Sequence, residues 1–319
     1  MRSAFEFKAE WSGLENRLAR MFDSDSGRSV MLAVDHDYFH GAPDGLKNLE
    51  AAVAPLLPHC DAISPCIGGL TCLDPRTRVP IILRATGGNS MAKTRKIPVL
   101  EGFLQEELMQ MSQWELTCLV EDFKKKNNGE EIKYESVPED LEDEMITVSI
   151  PTIIRANAIG FTASCYIGAK GEFQKQTIKN LTDLADEGHK YGLIAIGITA
   201  VGTGLKRDVK YIEHASRILV ANGADIIKTY YCDGFEQVVN SCHRPIVIAG
   251  GKKLPTKEAL SLTYNAIQAG ACGVDMGRNI FKNQSPVAMI QAVREIVHKG
   301  ATSDEAFELY RSLGGMEKE

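Results

Sequence analysis

The residue in this sequence that most directly offers chemistry is Lys228. It stands near the end of Ala224-Asp225-Ile226-Ile227-Lys228-Thr229-Tyr230-Tyr231, a β-branched and aromatic stretch that reads as a strand covered on both faces. An ammonium inside such a strand loses hydration that protein groups rarely restore in full. It then finds a counter-charge or gives up its proton. A free lysine titrates near about 10.4 and is almost wholly charged at neutral pH. Burial that moved it to roughly 7–8 would leave an amine able to add to a ketone and form a Schiff base. The alternative for a lone lysine is to snorkel its ammonium to water, and the stretch alone does not decide between them.

The other candidate residues share one feature: each lies at or just past the end of an apolar run. Asp35 and His36 follow Ser29–Val34, Arg84 ends Val79–Arg84, Tyr166 ends the run Phe161–Ile167, and Tyr231 follows Lys228. Asp35, His36, Tyr166 and Tyr231 are all groups that can move protons, and the sequence does not rank them. Gly250-Gly251-Lys252 and Gly277-Arg278 follow two further apolar runs. Glycine lets backbone N–H groups approach phosphate oxygens, and Lys252 or Arg278 would add a charge-assisted bond. One such pair is more simply a tight turn, but two at neighbouring strand ends favour phosphate.

The elements that must position these residues are eight apolar strands: Ser29–Val34, Ala62–Pro65, Val79–Arg84, Phe161–Ile167, Leu193–Ala200, Asp225–Tyr231, Pro245–Ala249 and Gly273–Met276. The later spacers, Gln176–Tyr191, Val209–Gly223 and Lys257–Gly270, carry helical periodicity, and the last two end at glycine as helices commonly do. Strands alternating with helices imply right-handed βαβ units and a parallel sheet. Eight units predict an α/β fold of the TIM (β/α)8 barrel type, with its chemistry at the C-terminal strand ends and Lys228 at the end of the sixth. We expect one domain over 1–319. Its N-terminal arm, 1–27, carries a helix at Gly13–Phe22 whose apolar face (Leu14, Leu18, Met21, Phe22) plugs the barrel floor.

A segment of about 92–147 interrupts the alternation after the third strand and reads as a helical insertion. Ser112-Gln113-Trp114-Glu115 fits a capping box, and Leu116, Leu119, Val120 and Phe123 share one helical face. Lys124-Lys125-Lys126 suits the helix end. The acidic run Glu139–Glu144 reads as a solvated loop.

Composition narrows the partners. A net charge of −6 argues against nucleic acid or an anionic membrane as the main partner. No apolar run reaches membrane-spanning length, and Met1–Glu10 lacks a signal-type apolar core. The eight cysteines are scattered without a CxxC pair, which suits reduced thiols in a cytoplasmic protein. His36 and His40, flanked by Asp35 and Asp37, raise a metal site. Their i, i+4 spacing aligns side chains only in a helix, the stretch reads as a strand exit into a turn, and no third ligand is evident. No metal is expected.

Four stretches together resemble the DeoC/FbaB class I aldolase superfamily: Val30-Met31-Leu32-Ala33-Val34-Asp35-His36, Ile226–Tyr231, Pro245–Pro255 and Gly273–Phe281. The resemblance implies a lysine Schiff-base enzyme of the lyase or acyltransferase type. It implies Lys228 as nucleophile, Asp35 as a polar partner near the substrate, and Gly251, Gly277 and Arg278 at a substrate phosphate. Within the superfamily the chain looks most like the thiolase branch that processes phosphorylated autoinducer-2, in which coenzyme A would be the co-substrate accepting an acetyl group and no further cofactor is needed. Relatives are large homo-oligomers, often decamers. The fructose-bisphosphate branch carries a Tyr-Pro-Arg-Gly-like loop after the fifth strand, with the tyrosine as acid/base. Here the loop reads Ala200-Val201-Gly202-Thr203-Gly204, which counts against a plain sugar-phosphate aldolase and leaves the proton shuttle unassigned. A phosphate-binding barrel serving as scaffold or sensor is the non-enzyme alternative, and the intact lysine motif argues against it.

Overall fold

The computed structural model describes residues 12–88, 94–103, 108, 113–126, 132–138, 143–169, 171–200 and 206–316. Twelve strands occur among them. They are β1 (Ser29–Ala33), β2 (Ala62–Ser64), β3 (Ile82–Arg84), β4 (Thr86–Gly87), β5 (Thr94–Pro98), β6 (Tyr134–Pro138), β7 (Met145–Ile146), β8 (Gly160–Cys165), β9 (Ile194–Thr199), β10 (Ile226–Tyr230), β11 (Ile246–Ala249) and β12 (Gly273–Met276).

Eight of these form one parallel sheet in the order β2-β1-β12-β11-β10-β9-β8-β3. A parallel bridge between Ile63 and Ile81 joins its two edges and closes the barrel. These are the eight strands expected from the apolar runs. The third is shorter than its run, beginning at Ile82, because Pro80 has no N–H to give to a ladder. Helices Gly171–His189, Val209–Ala221, Thr256–Gln268 and Pro286–Lys299 follow β8, β9, β11 and β12. Asp208 caps the second of them by accepting the N–H of Tyr211. Their buried faces and the outward strand residues form the large core, including Leu83, Phe161, Leu181, Leu219, Ile248 and Val293.

Inside the barrel a second apolar cluster closes the floor. Inward residues Met31, Ala62, Ile82, Ile194, Ile196, Ile226 and Val247 pack under Leu18, Met21 and Phe22. The helix Gly13–Met21 supplies the first two, so it does plug the floor. Above this layer the inward positions turn polar: Ser64, Arg84, Thr162, Ser164, Lys228 and Asp275 are all buried. The apolar floor thus forces every charged inward residue to the mouth end.

The inserted segment contains more strand than expected. β5 and β6 pair antiparallel, as do β4 and β7. The helix Gln113–Lys126 is present; Ser112, its expected cap, lies outside the described residues, as do 139–142 of the acidic run. A separate small core joins hairpin and helix through Ile97, Leu100, Leu108, Leu116 and Ile132. The acidic run does not end in solvent, since Glu144 is fully buried. No described helix is long and apolar enough to cross a membrane.

Candidate active site

Lys228 is 8 % exposed near the mouth end of β10. Two residues past inward-facing Ile226 it shares that face and points into the barrel, where its Nζ lies 2.7 Å from Asp275 Oδ2 on β12. Burial lowers the lysine's pKa, but Asp275 and then Asp35 outweigh it and hold the group above its ordinary value. Of the two outcomes open to a buried ammonium, the counter-charge is the one realised: burial meets two carboxylates here, not an apolar wall. Burial pushes the Asp275 carboxyl up against the attraction of Lys228. The resting pair is an ammonium beside a carboxylate that protonates more readily than usual.

Asp35 lies just past β1, 6 % exposed. Burial pushes its carboxyl up, yet Lys228 and Arg84 outweigh this and keep it below the usual carboxylate range. Arg84 Nη1 stands 3.7 Å from Asp35 Oδ2. His36 Nδ1 is 3.8 Å from Asp35 Oδ1, too long for a hydrogen bond. Burial first, with Lys228 and Arg278 adding, lowers the His36 pKa to about 4 despite Asp35. The imidazole is neutral at pH 7 and rests edge-on against Phe281 at 5.2 Å.

Residues 37–40 form a short helix rather than the expected turn. It stacks His36 and His40 at 6.3 Å. The ground given above for separating these two histidines therefore fails. Among the described residues, however, no group of three His, Cys, Asp or Glu side chains is placed to hold a metal ion. The same helix lays Tyr38 over the Arg84 guanidinium at 4.0 Å.

Tyr166 is buried against Phe173, with ring centroids 4.7 Å apart. Burial raises its phenol, and its charged and phenolic neighbours include Tyr38, Glu144, Arg84 and Tyr230. It thus belongs to the polar mouth. Tyr231 does not. It points to the helix behind the strand, 5.6 Å from Phe235, and its charged neighbours are Glu236 and Asp233. The strand's alternation explains this, since a residue one step past inward-facing Tyr230 faces outward.

The two glycine loops are tied together by Asn279. Its Nδ2 donates to Gly250 O at 2.6 Å, and its Oδ1 accepts the Leu254 N–H at 2.8 Å. Gly251 has φ +66, a conformation that glycine adopts without strain. At Gly277 a Cβ would fall 2.5 Å from both Ala33 O and His36 Cε1, so this glycine is required by the approach of the neighbouring strand end. Arg278 is half-buried, with Nε lacking a hydrogen-bond partner among the described residues. Its neighbours include Tyr230 and Arg207, and Arg207 stacks on Tyr230 at 3.7 Å. Lys252 is exposed.

Sequence reasoning passed over three residues of this centre: Asp275, Tyr38 and Glu144. Asp275 carried a usable signal, a carboxylate at an inward position of an otherwise apolar strand. Arg84 was noted only as a strand end.

A parallel barrel with a buried, carboxylate-paired lysine at its mouth is the arrangement of a lysine-dependent aldolase. Residues 122–283 match the DeoC/LacD family of aldolases, and the chain belongs to that family. A 3-hydroxy-5-phosphonooxypentane-2,4-dione thiolase from Photorhabdus laumondii is 39% identical over 97% of this chain and 92% of its own length. The Escherichia coli K12 protein of the same name is 38% identical, covering 95% and 88%. An archaeal fructose-1,6-bisphosphate aldolase, solved with its catalytic lysine bound to a carbinolamine intermediate, shares the fold at a TM-score of 0.67 and 19% identity. That match covers 89% of this chain and 99% of the other. The protein is an enzyme of the class I aldolase and thiolase type.

Proposed function

We propose that Lys228 forms a Schiff base with a phosphorylated ketone and that the enzyme, like the relatives' name, acts on 3-hydroxy-5-phosphonooxypentane-2,4-dione, passing an acetyl group to coenzyme A. The observation that carries this reading is the buried Lys228–Asp275 pair at 2.7 Å, at the mouth of a barrel whose adjacent glycine loops present Arg278.

The chemistry follows from the groups. As substrate enters, Asp275 takes the ammonium proton, and the freed amine adds to the ketone beside the phosphate-bearing carbon. Loss of water from the carbinolamine gives an iminium, which Asp35 stabilises as a nearby carboxylate. A thiolate then adds to the acetyl carbonyl, and the bond from that carbon to the hydroxyl-bearing carbon breaks. The bonding pair passes into the iminium and gives an enamine, while the acetyl group leaves as thioester. Protonation of the enamine carbon and hydrolysis of the imine release dihydroxyacetone phosphate and the free lysine. Neutral His36 and the Tyr166 phenol are the groups placed to handle the carbon-bound proton and the carbinolamine hydroxyl. Gly250, Gly251, Gly277 and Arg278, with exposed Lys252 at the rim, take the phosphate.

This reading places a homo-oligomeric enzyme in the cytoplasm, and eight cysteines outside any disulfide suit a reducing compartment. Its test is product formation. Acetyl-coenzyme A should appear only when the phosphorylated diketone and coenzyme A are both present. Rapid cleavage of fructose 1,6-bisphosphate independent of coenzyme A would favour the sugar-phosphate aldolase instead.

A further inference from the structure

Arg84 is 3 % exposed, and its guanidinium is shared among several acceptors. Nε donates to Thr86 O at 2.7 Å, and Nη2 donates to Ser164 Oγ at 2.6 Å and to Glu144 Oε1 at 2.8 Å. Nη1 faces Asp35 Oδ2 at 3.7 Å, beyond hydrogen-bond range. Two carboxylates therefore compete for one cation, and Glu144 holds the closer contact.

Glu144 reaches this position on the return of the inserted segment. Thr86 Oγ1 donates to its Oε1 at 2.5 Å, and Asn180 Nδ2 donates to its backbone oxygen at 2.9 Å. The chain just beyond is held by the bond from Thr147 N to Ala85 O at 2.8 Å. A carboxylate held by Arg84 and Thr86, on a backbone held by Asn180, is a rigid acceptor in a buried site. An arginine with a free fork takes a carboxylate bidentately where it can. Without Glu144, the available one is Asp35.

We propose that Glu144 is a positioning residue for the Schiff-base step: it engages Arg84 so that Asp35 stays beside Lys228 instead of closing onto the guanidinium. This rests on the reading of Lys228 as nucleophile. It also gives the inserted segment a chemical link to the barrel centre that is separate from any covering role.

The test is the pH profile of kcat/KM for Glu144→Gln, with Glu144→Asp beside it. The charged and titratable groups facing Asp35, Arg84 and Lys228 are Asp275, His36, Tyr38, Cys66, Glu144 and Tyr166. Removing the negative charge at Glu144 makes the surroundings of Asp35 and Lys228 more positive. Both then lose protons more easily, so the ascending limb should move to lower pH. We expect kcat to fall by about tenfold or more, as for a misaligned acid–base group, with KM changed far less. Glu144→Asp keeps the charge but shortens the reach, so it should lower kcat without moving the limb. A lost fold alone would move neither limb in the surviving protein. Wild-type kcat and profile in Glu144→Gln, or in Glu144→Asp should the first variant not fold, overturns the proposal. Wild-type protein is trapped with borohydride and the phosphorylated diketone in parallel. Failure to label Lys228 there sinks the nucleophile reading itself, whereas labelling with an unaffected Glu144 variant sinks only this inference.

Discussion

Lys228 Nζ and Asp275 Oδ2 lie 2.7 Å apart with side chains 10% and 0% exposed, one on the sixth barrel strand and one on the eighth. A buried lysine commonly gains its reactivity by losing charge. Here the carboxylate reverses that, holding the lysine charged while burial pushes Asp275 up. The amine is not free at rest. It is released by moving one proton across one 2.7 Å ion pair, into a carboxyl already inclined to take it.

Asp275→Asn removes the counter-charge and the proton acceptor together. Burial then dominates and lowers the Lys228 pKa. The pH at which borohydride first traps an imine should fall, while kcat drops by about 10²–10⁴-fold for want of a general base. A trapping profile identical to wild type would show that the two residues are not coupled.

Lys228→Arg keeps the positive charge on Asp275 and cannot form an imine. Borohydride with substrate should leave no added mass on the peptide carrying position 228, and turnover should vanish although the protein folds. Measurable turnover by this variant rules out the Schiff base.

Much of this arrangement was legible beforehand, and the limits have physical causes. The eight strands stood out because both their faces are buried, which makes each a continuous apolar run. Lys228 stood out as a cation inside one of them. Glu144 did not, because its meaning depends on Arg84, 60 residues earlier, and an acidic run looks the same whether or not its last member folds inward. Tyr38 was hidden by the short helix at Asp37–His40, four residues that carry no periodicity long enough to read. Tyr231 was misplaced by one step of a period-two strand, where a single residue decides which face is reached.

Arg278 is predicted to bind the substrate phosphate through its open side. Losing a charge-assisted bond costs about 1.5–3 kcal/mol. Arg278→Ala should therefore raise KM for the phosphorylated ketone by roughly ten- to a hundredfold and leave kcat nearly unchanged. KM for the dephosphorylated analogue should not move. Equal effects on both substrates would place the phosphate elsewhere.

His36 should leave a mark on stability. Its folded pKa is about 4, against about 6.5 unfolded. Between those values the unfolded chain binds the extra proton, so stability falls as pH drops through that window. The full shift corresponds to about 3 kcal/mol, present above pH 6.5 and lost toward pH 4. Urea midpoints for wild type should decline from pH 7 to pH 4.5 more steeply than those for His36→Gln. Parallel declines would mean that the imidazole is not held neutral.

The inserted segment can be divided into the part that delivers Glu144 and the part that could cover the mouth. It leaves the C-terminal end of β3, where the chemistry lies. Its helix and hairpin bury a separate small core through Leu108, Leu116 and Ile132 yet leave Trp114 75% exposed and Phe103 38% exposed. Such exposed apolar surface suits a wall or lid that meets substrate or a neighbouring subunit. Pro98 and Tyr134 face each other across the hairpin, so a Gly/Ser turn of about four residues can replace 99–133 without disturbing β5, β6 or Glu144. The barrel should keep its unfolding midpoint, because the deleted cluster is distinct from both barrel cores. Borohydride should still label Lys228, while kcat/KM for the phosphorylated diketone falls on the order of tenfold as water gains access. Unchanged kinetics with an unchanged oligomeric state would make this part of the insertion ornamental, and only the returning stretch that carries Glu144 would remain tied to catalysis.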